Sequence, residues 1–341
     1  MGRTTVYNKL YNEEAWNKSN PENKQLVADF LEYLKSIDRA DSTIAQYEND
    51  LRIFMCWNWE FNNDKSYINL TKREIAKFQY KALNEYNWSS NRIRRFKSTL
   101  SSFGNYIEDI LDDEYQGYRS IVNKIANPAK EPVREKTVFT DDELESLLQQ
   151  LKDNGEYERM MAVALALYSG RRKQELPRFK MDFFTDDNVI CGSLYKTPKI
   201  KTKGRGSKGK VINTYVLKHK FDPYLEIWKK YREENGIESE WLLHNPVEPS
   251  EPLPVSTLDS WAKLFTRRLG KPFYWHSLRH RWTTAMGELG LPTGVIQKLQ
   301  SWESADMVAI YSDRDIDDEL AEYFNEDGIV ARKAKSLTDL G

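Results

Sequence analysis

The sequence predicts a mainly α-helical protein of two domains, in which the second domain also carries a small β-sheet (an α+β domain). Apolar residues recur at helical spacing over most of the 341 residues. A charged segment with two prolines interrupts this periodicity near residue 130. Two short β-rich runs flank a basic, glycine-containing stretch around residue 200. A chain of this length, with 40% hydrophobic and 30% charged residues, is expected to form about two globular domains.

The first domain is predicted to be a helical bundle over residues 23–127, preceded by an N-terminal extension of residues 1–22. Three amphipathic helices are indicated by apolar residues at helical spacing, within residues 26–34, 44–55 and 93–111. Helices of this kind bury their apolar faces against one another, which favours a bundle.

An interdomain linker is predicted at residues 128–137, because "NPAKEPVREK" combines two prolines and several charges without periodicity. The second domain is predicted over residues 138–325, followed by a C-terminal tail of residues 326–341. It opens with a capping signal in "TDDELESLLQQL". The runs "NVICGSLYK" and "KVINTYVL" then predict a hairpin whose loop carries lysines. Helices are expected to resume near Pro223.

The overall charge does not indicate a class of partner, since 51 basic residues face 52 acidic ones and the net charge is −1. The distribution is more informative. Residues 196–210 contain seven lysines and arginines and no acid, and residues 87–106 form a second basic stretch without acids. Each stretch is compatible with an ordinary solvated surface or with an anionic partner.

Other features exclude several classes of protein. No apolar run reaches the roughly 18 residues of a membrane helix, and the N-terminus lacks the apolar core of a signal peptide. A cytoplasmic protein is therefore expected. The two cysteines, Cys56 and Cys191, lie far apart, so neither a disulfide framework nor a cysteine-rich metal site is expected.

The segment "WHSLRHRWTTAM", residues 275–286, places cations on one face of a predicted helix. On a helical wheel its apolar residues share one face, while His276, Arg279, His280 and Thr283 share the opposite face. These cations are expected to point outward together. A guanidinium with imidazole donors suits a phosphate, although a solvated basic face would look the same.

Two further motifs accompany this helix. In "LYSGRRKQELPRF", Arg172 stands two residues after Gly170, where a helix is expected to end, and Glu175 lies one turn later as a partner for the arginine. In "IQKLQSWESADMVAIYSD", Tyr311 stands nine residues after Trp302.

The order G-x-R-x-x-E, basic hairpin, H-x-L-R-H and a tyrosine nine residues after a tryptophan resembles the tyrosine recombinase (phage integrase) family. The resemblance covers residues 23–325, and the layout is most similar to two-domain members of the Cre or Xer kind. It implies a C-shaped clamp in which the two domains grip opposite faces of double-stranded DNA. The implied activity is site-specific recombination through a 3′-phosphotyrosyl intermediate, without metal or other cofactor.

The resemblance also implies a role for each matching residue. Arg172 and Arg279 would bind the two non-bridging oxygens of the scissile phosphate, and Tyr311 would attack phosphorus. His276 would share the proton of the tyrosine, and a hairpin lysine would protonate the leaving 5′-oxygen; we expect Lys203, with Lys201 as the second choice. Trp302 would donate to the phosphate, where many relatives have histidine. Glu175 and His280 would lie behind these residues, where they would orient Arg172 and help to order the site.

DNA contacts are expected from both basic stretches. The candidate residues are Arg92, Arg94, Arg95, Lys97, Lys201, Arg205 and Lys208. Helical spacing predicts that Arg92 and Arg95, and less clearly Arg94, point outward. The tail is expected to dock on a neighbouring protomer, which would give a tetramer in the synaptic complex.

One departure from the family pattern leaves alternatives open. Gln300, Ser301 and Trp302 stand where L-G-H is the commonest form, so the glycine and the histidine are both replaced. The same motifs are also compatible with two alternatives, a type IB topoisomerase and a non-catalytic DNA-binding relative. A helical adaptor that binds no nucleic acid would require every motif to be a coincidence.

Overall fold

The computed structural model describes residues 10–129, 137–202, 210–304 and 306–307, and the backbone of residues 324–325 and 328–329. Helices predominate over short strands in these ranges, which confirms the predicted fold class. The described residues divide into two compact units, one formed by residues 10–129 and one by the described residues from 137 onward. No helix in the described ranges is long and apolar enough to cross a membrane.

The first unit is a bundle of helices around an aromatic-rich core. Its helices are α1 Glu13–Lys18, α2 Pro21–Ser36, α3 Asp41–Phe61, α4 Lys72–Asn84 and α5 Ser90–Ile110. The side chain of Asn20 caps α2, and a reciprocal capping box between Thr71 and Glu74 begins α4. The apolar stripes identified in the sequence face this core, so the three predicted helices are confirmed.

The second unit is built around one largely buried helix. Its helices are α6 Asp141–Asp153, α7 Tyr157–Ser169, α8 Lys218–Glu234, α9 Val255–Leu269, α10 Trp275–Glu288 and α11 Thr293–Gln300. The predicted capping box forms between Thr140 and Glu143 at the start of α6. Helix α7 packs against α6, α8 and α10, and all of its residues from Met160 to Leu167 are buried.

Helix α7 ends at Gly170, which has the left-handed conformation (φ 61°) of a C-terminal cap. Glycine is required here for a second reason. A Cβ at this position would lie 2.4 Å from Nε2 of Gln300 and 2.8 Å from the ring of Trp282. The chain therefore turns sharply at Gly170, directly against α10 and the end of α11.

The second unit also contains the predicted hairpin. Strands β1 Val189–Ile190, β2 Leu194–Lys196 and β5 Tyr215–Leu217 form an antiparallel sheet in the order β1-β2-β5. Beyond β2 and β5 the ladder continues as β3 Ile200–Lys201 paired with β4 Val211–Ile212. The loop between β3 and β4, with Lys203, Arg205 and Lys208, lies outside the described residues. Near the C-terminus, β6 Phe324–Asn325 pairs with β7 Gly328–Ile329.

Candidate active site

Arg172 lies just beyond the turn at Gly170 and is held by Glu175. The backbone N–H of Arg172 donates to Oε2 of Glu175 at 3.1 Å, and its Nη1 donates to Oε1 at 3.4 Å. The Glu175 side chain is 2% exposed, whereas that of Arg172 is 34% exposed. The predicted pair is therefore present, and it leaves the guanidinium accessible while fixing its base.

Arg279, in contrast, is completely buried on α10. Its Nη1 donates to the carbonyl of Gly170 at 2.8 Å, and its Nη2 donates to the carbonyl of Gln300 at 3.3 Å. The guanidinium lies over the ring of Trp302, 4.9 Å from its centroid. One side chain thus connects the turn after α7 with the turn after α11.

The expectation that the cations of α10 point outward together is wrong for Arg279. Thr283 on the same face is also buried, and its hydroxyl donates to the carbonyl of Arg279 at 2.9 Å. The physical reason is that α10 packs against α7 and α11, so backbone carbonyls cover its polar face where solvent was expected.

His276 occupies the first turn of α10, with its ring edge-on to that of His280 at a centroid distance of 5.4 Å. The residue is exposed, but the protein around the imidazole desolvates the ring. This desolvation, reinforced by the charges of His280, Arg279 and Arg172, lowers the pKa of His276 to about 4. His276 is therefore neutral near pH 7 and able to accept a proton.

The turn after α11 forms although it lacks glycine. Ser301 adopts the left-handed conformation (φ 55°). Trp302 is 7% exposed, its backbone N–H donates to the carbonyl of Gln297 at 3.0 Å, and the amide of Gln297 returns a bond to the carbonyl of Trp302 at 3.2 Å. Serine thus occupies the backbone position for which glycine is the usual choice.

The sequence analysis missed Arg171, which is 1% exposed. Its Nη2 donates to the carbonyl of Leu299 at 2.8 Å and to Oε1 of Gln300 at 3.0 Å, and its Nε donates to the carbonyl of Ser169 at 3.3 Å. Burial lowers the pKa of Arg171 to about 10, against the opposing influence of Glu175. The only signal in the sequence was the Arg-Arg pair after Gly170, which does not reveal which arginine turns inward.

Some of the predicted site residues are assembled in the second unit and others are not described. The assembled group is Arg172, Glu175, His276, Arg279, His280 and Trp302. Tyr311, Lys203, Arg205 and Lys208 lie outside the described residues. Lys201 is exposed on β3, and its carbonyl accepts a hydrogen bond from Nη1 of Arg178.

The expectation that Lys97 contacts DNA is not supported by its place on α5. Its side chain turns inward, and Nζ donates to Oε1 of Gln79 and the carbonyl of Ile125, both at 2.8 Å, and to the carbonyl of Ala126 at 3.2 Å. An ammonium group has three donors, so these acceptors saturate it. Lys97 therefore holds the segment of Ile125 and Ala126 against α5.

The neighbouring arginines have different surroundings. Arg95 forms a bidentate pair with the buried carboxylate of Asp50, at 3.0 and 3.1 Å. Nη1 of Arg94 donates to the carbonyl of Pro128 at 2.9 Å, and the guanidinium of Arg92 stacks 3.6 Å from the ring centroid of Trp88. The charge of Arg95 is thus compensated within the bundle by the carboxylate of Asp50.

The chain is similar to a known protein family and to several of its members. Residues 137–317, more than half of the chain, match the model of the phage integrase family. The SPbeta prophage-derived recombinase-like protein YomM of Bacillus subtilis (strain 168) is 29% identical over 257 residues, which cover 74% of this chain and 73% of that protein. A tyrosine recombinase of Thermosipho africanus (strain TCF52B) is 25% identical over 298 residues, covering 84% of this chain and 94% of that one.

Solved structures show the same fold. The XerH site-specific recombinase bound to palindromic difH substrate aligns with a TM-score of 0.62 and 18% identity, covering 82% of this chain and 79% of that one. The lambda integrase tetramer bound to a Holliday junction aligns with a TM-score of 0.61 and 17% identity, covering 86% and 79%. The family match and the fold agree with the resemblance found in the sequence, and the chain belongs to the phage integrase family of tyrosine recombinases.

Proposed function

We propose that this protein is a site-specific DNA recombinase that cleaves and rejoins DNA strands through a 3′-phosphotyrosyl intermediate. The observation that carries the proposal is the convergence of Arg172, His276 and Arg279 around the turn that ends in Trp302. These groups provide two permanent positive charges and one neutral proton acceptor, which suits a phosphodiester that gains negative charge during attack.

Arg172 would make the first contact with the scissile phosphate, because its guanidinium is accessible and Glu175 fixes its base. Arg279 would provide the second contact. Its guanidinium lies over the indole of Trp302, binds two backbone carbonyls and is 0% exposed, so these surroundings would have to rearrange before the arginine reaches a phosphate oxygen. Trp302 would donate its indole N–H to the same phosphate.

In the cleavage step the hydroxyl oxygen of Tyr311 forms a bond to phosphorus while the bond from phosphorus to the 5′-oxygen breaks. The hydroxyl proton passes to His276, which is neutral near pH 7. A hairpin lysine, Lys203 or otherwise Lys201, protonates the departing 5′-oxygen. Attack by a 5′-hydroxyl on the phosphotyrosine reverses these steps, so rejoining requires no external energy source.

DNA binding would use basic side chains of both units. On α5 we propose Arg92 and Arg94, the second of which borders an open polar cavity of about 300 Å³ in the first unit. In the hairpin we propose Lys201, Arg205 and Lys208. The lambda integrase structure above is described as a tetramer on a Holliday junction. By analogy we propose a tetramer on two DNA sites, in which residues 326–341 dock on a neighbouring protomer.

The direct test is a search for the covalent intermediate. The protein is incubated, without metal or ATP, with labelled nicked duplexes pooled from DNA that flanks its gene, and the products are run on a denaturing gel. Wild type should give a slow band that protease removes, and Tyr311→Phe should give none. Tyr80→Phe is the matched control, because Tyr80 is 62% exposed on α4 and should leave the band unchanged.

Each alternative result has a definite meaning. A covalent band that persists in Tyr311→Phe would show that another residue is the nucleophile. A duplex that wild type binds in a salt-sensitive manner but never cleaves would favour a non-catalytic DNA-binding relative.

A further inference from the structure

Two arginines, from two different elements, hold the end of α11. Arg279 on α10 binds the main-chain carbonyl of Gln300 at 3.3 Å. Arg171, in the turn after α7, binds the side-chain Oε1 of Gln300 at 3.0 Å and the carbonyl of Leu299 at 2.8 Å. Residue 300 is therefore fixed through its backbone and its side chain, immediately before the turn that carries Trp302.

The placement of Arg171 is unusual for a charged side chain. Its guanidinium is almost fully buried, and burial lowers its pKa only to about 10, so it stays protonated near neutral pH. The carboxylate that partly compensates its charge is Glu175, which already pairs with Arg172. Burying a guanidinium costs free energy that hydrogen bonds to carbonyl and amide oxygens offset only in part. Because the hydrogen bonds of Arg171 offset only part of the free energy of its burial, its contribution to global stability is small. This points to a local role in fixing the geometry around it.

The surroundings couple the two turns closely. Arg171 and Arg172 are adjacent, so bonds from Arg171 to Leu299 and Gln300 join the base of the phosphate-binding arginine to the end of α11. Gly170 approaches the Gln300 amide so closely that a Cβ would lie 2.4 Å from its Nε2. A displacement of one turn must therefore displace the other.

We propose that Arg171 is a positioning residue, which acts through Gln300 to fix the turn of Ser301 and Trp302 relative to Arg172 and Arg279. The consequence for DNA cleavage rests on the proposed function, since this turn begins the segment that leads to Tyr311. Nothing in this role requires Arg171 to touch the DNA.

A first experiment tests the positioning without DNA. Amide hydrogen exchange is measured on peptides that cover residues 296–304 in wild type and in Arg171→Leu. The control is Arg232→Leu, because Arg232 on α8 is also buried and also binds carbonyls, those of Trp241 and Ser239, elsewhere in the same unit. We expect Arg171→Leu to raise exchange at Ser301 and Trp302 by at least about tenfold. Equal exchange in both variants would overturn the proposal.

A second experiment measures single-turnover cleavage at saturating DNA, on the duplex that wild type cleaves. Arg171→Leu should cleave about 10- to 100-fold more slowly, as small misplacements in an active site do, and bind DNA within about twofold of wild type. Arg171→Lys should recover part of the rate. Gln300→Leu should also slow cleavage, though less than Arg171→Leu, because the bond from Arg171 to the carbonyl of Leu299 remains. The loss in the double variant should be smaller than the sum of the two single losses, because the two side chains share one contact.

The outcomes separate this inference from the proposed function. A wild-type rate in Arg171→Leu, or strictly additive losses in the double variant, would exclude the positioning role. If wild type forms no covalent complex on any DNA, the proposed function fails, and hydrogen exchange still decides whether Arg171 holds the turn. If Arg171→Leu does not fold, hydrogen exchange and cleavage are compared between wild type, Arg171→Lys and Gln300→Leu instead.

Discussion

Substitution of Gly170 by alanine is expected to damage the second unit by two separable effects. The first is backbone strain, since the left-handed φ of 61° costs a residue with a Cβ about 1 kcal/mol. The second is overlap. The new Cβ would lie 2.4 Å from Nε2 of Gln300 and 2.8 and 2.9 Å from ring atoms of Trp282, where ordinary contacts begin near 3.4 Å.

The overlap cannot be relieved cheaply. Trp282 is 3% exposed within the core, and the side chain of Gln300 is held by Arg171. Overpacking of this kind costs about 1–3 kcal/mol. Together with the strain, Gly170→Ala should lower the free energy of unfolding of the second unit by about 2–4 kcal/mol.

Gly155→Ala is the matched control. Gly155 also follows a helix of the second unit and has a φ of 68°, but nothing lies within 4 Å of its added Cβ. It should therefore show the strain alone, about 1 kcal/mol. Urea unfolding followed by tryptophan fluorescence and circular dichroism compares the two variants. If Gly170→Ala lowers the free energy of unfolding no more than Gly155→Ala does, the close approach between Gly170 and Gln300 would be refuted.

Three further predictions concern charged groups. Lys97→Met should lower the free energy of unfolding of the first unit, measured in urea, by about 1–3 kcal/mol. In a gel-shift assay it should change DNA affinity less than Arg92→Met does. A larger change in DNA affinity for Lys97→Met than for Arg92→Met would show that Lys97 is a DNA contact. Arg95→Leu leaves the buried carboxylate of Asp50 without its bidentate partner and should cost about 3 kcal/mol, and a loss below 1 kcal/mol would contradict that pairing. The pKa of His276 is lowered from 6.5 to about 4 in the folded protein, so the unfolded chain binds a proton more readily. The contribution of His276 to the free energy of unfolding is therefore fully present above pH 6.5 and is lost as the pH falls towards 4. NMR titration should find the imidazole of His276 neutral at pH 6, and a pKa near 6.5 in the free protein would refute the desolvation.

Much of the fold followed from local patterns in the sequence. Three helices of the bundle, the capping box at Thr140, the stop at Gly170 and the hairpin were predicted, because each depends on residues within a few positions of one another. Helices α1 and α4 were not predicted. The motifs around Arg172 and Arg279 indicated a phosphate site for the same reason, since spacing and residue type are properties of the chain alone.

The tertiary structure decided which charged groups face solvent. A helical wheel gives the direction of Arg279 from its helix axis, but not that the carbonyls of Gly170 and Gln300 lie there. The inward turn of Lys97 and the burial of Arg171 likewise depend on segments distant in sequence. The sequence alone determined the elements and the chemistry of their side chains. Only packing between distant segments decided which cations remain available to an anion, because desolvation and backbone partners are set by what covers each face.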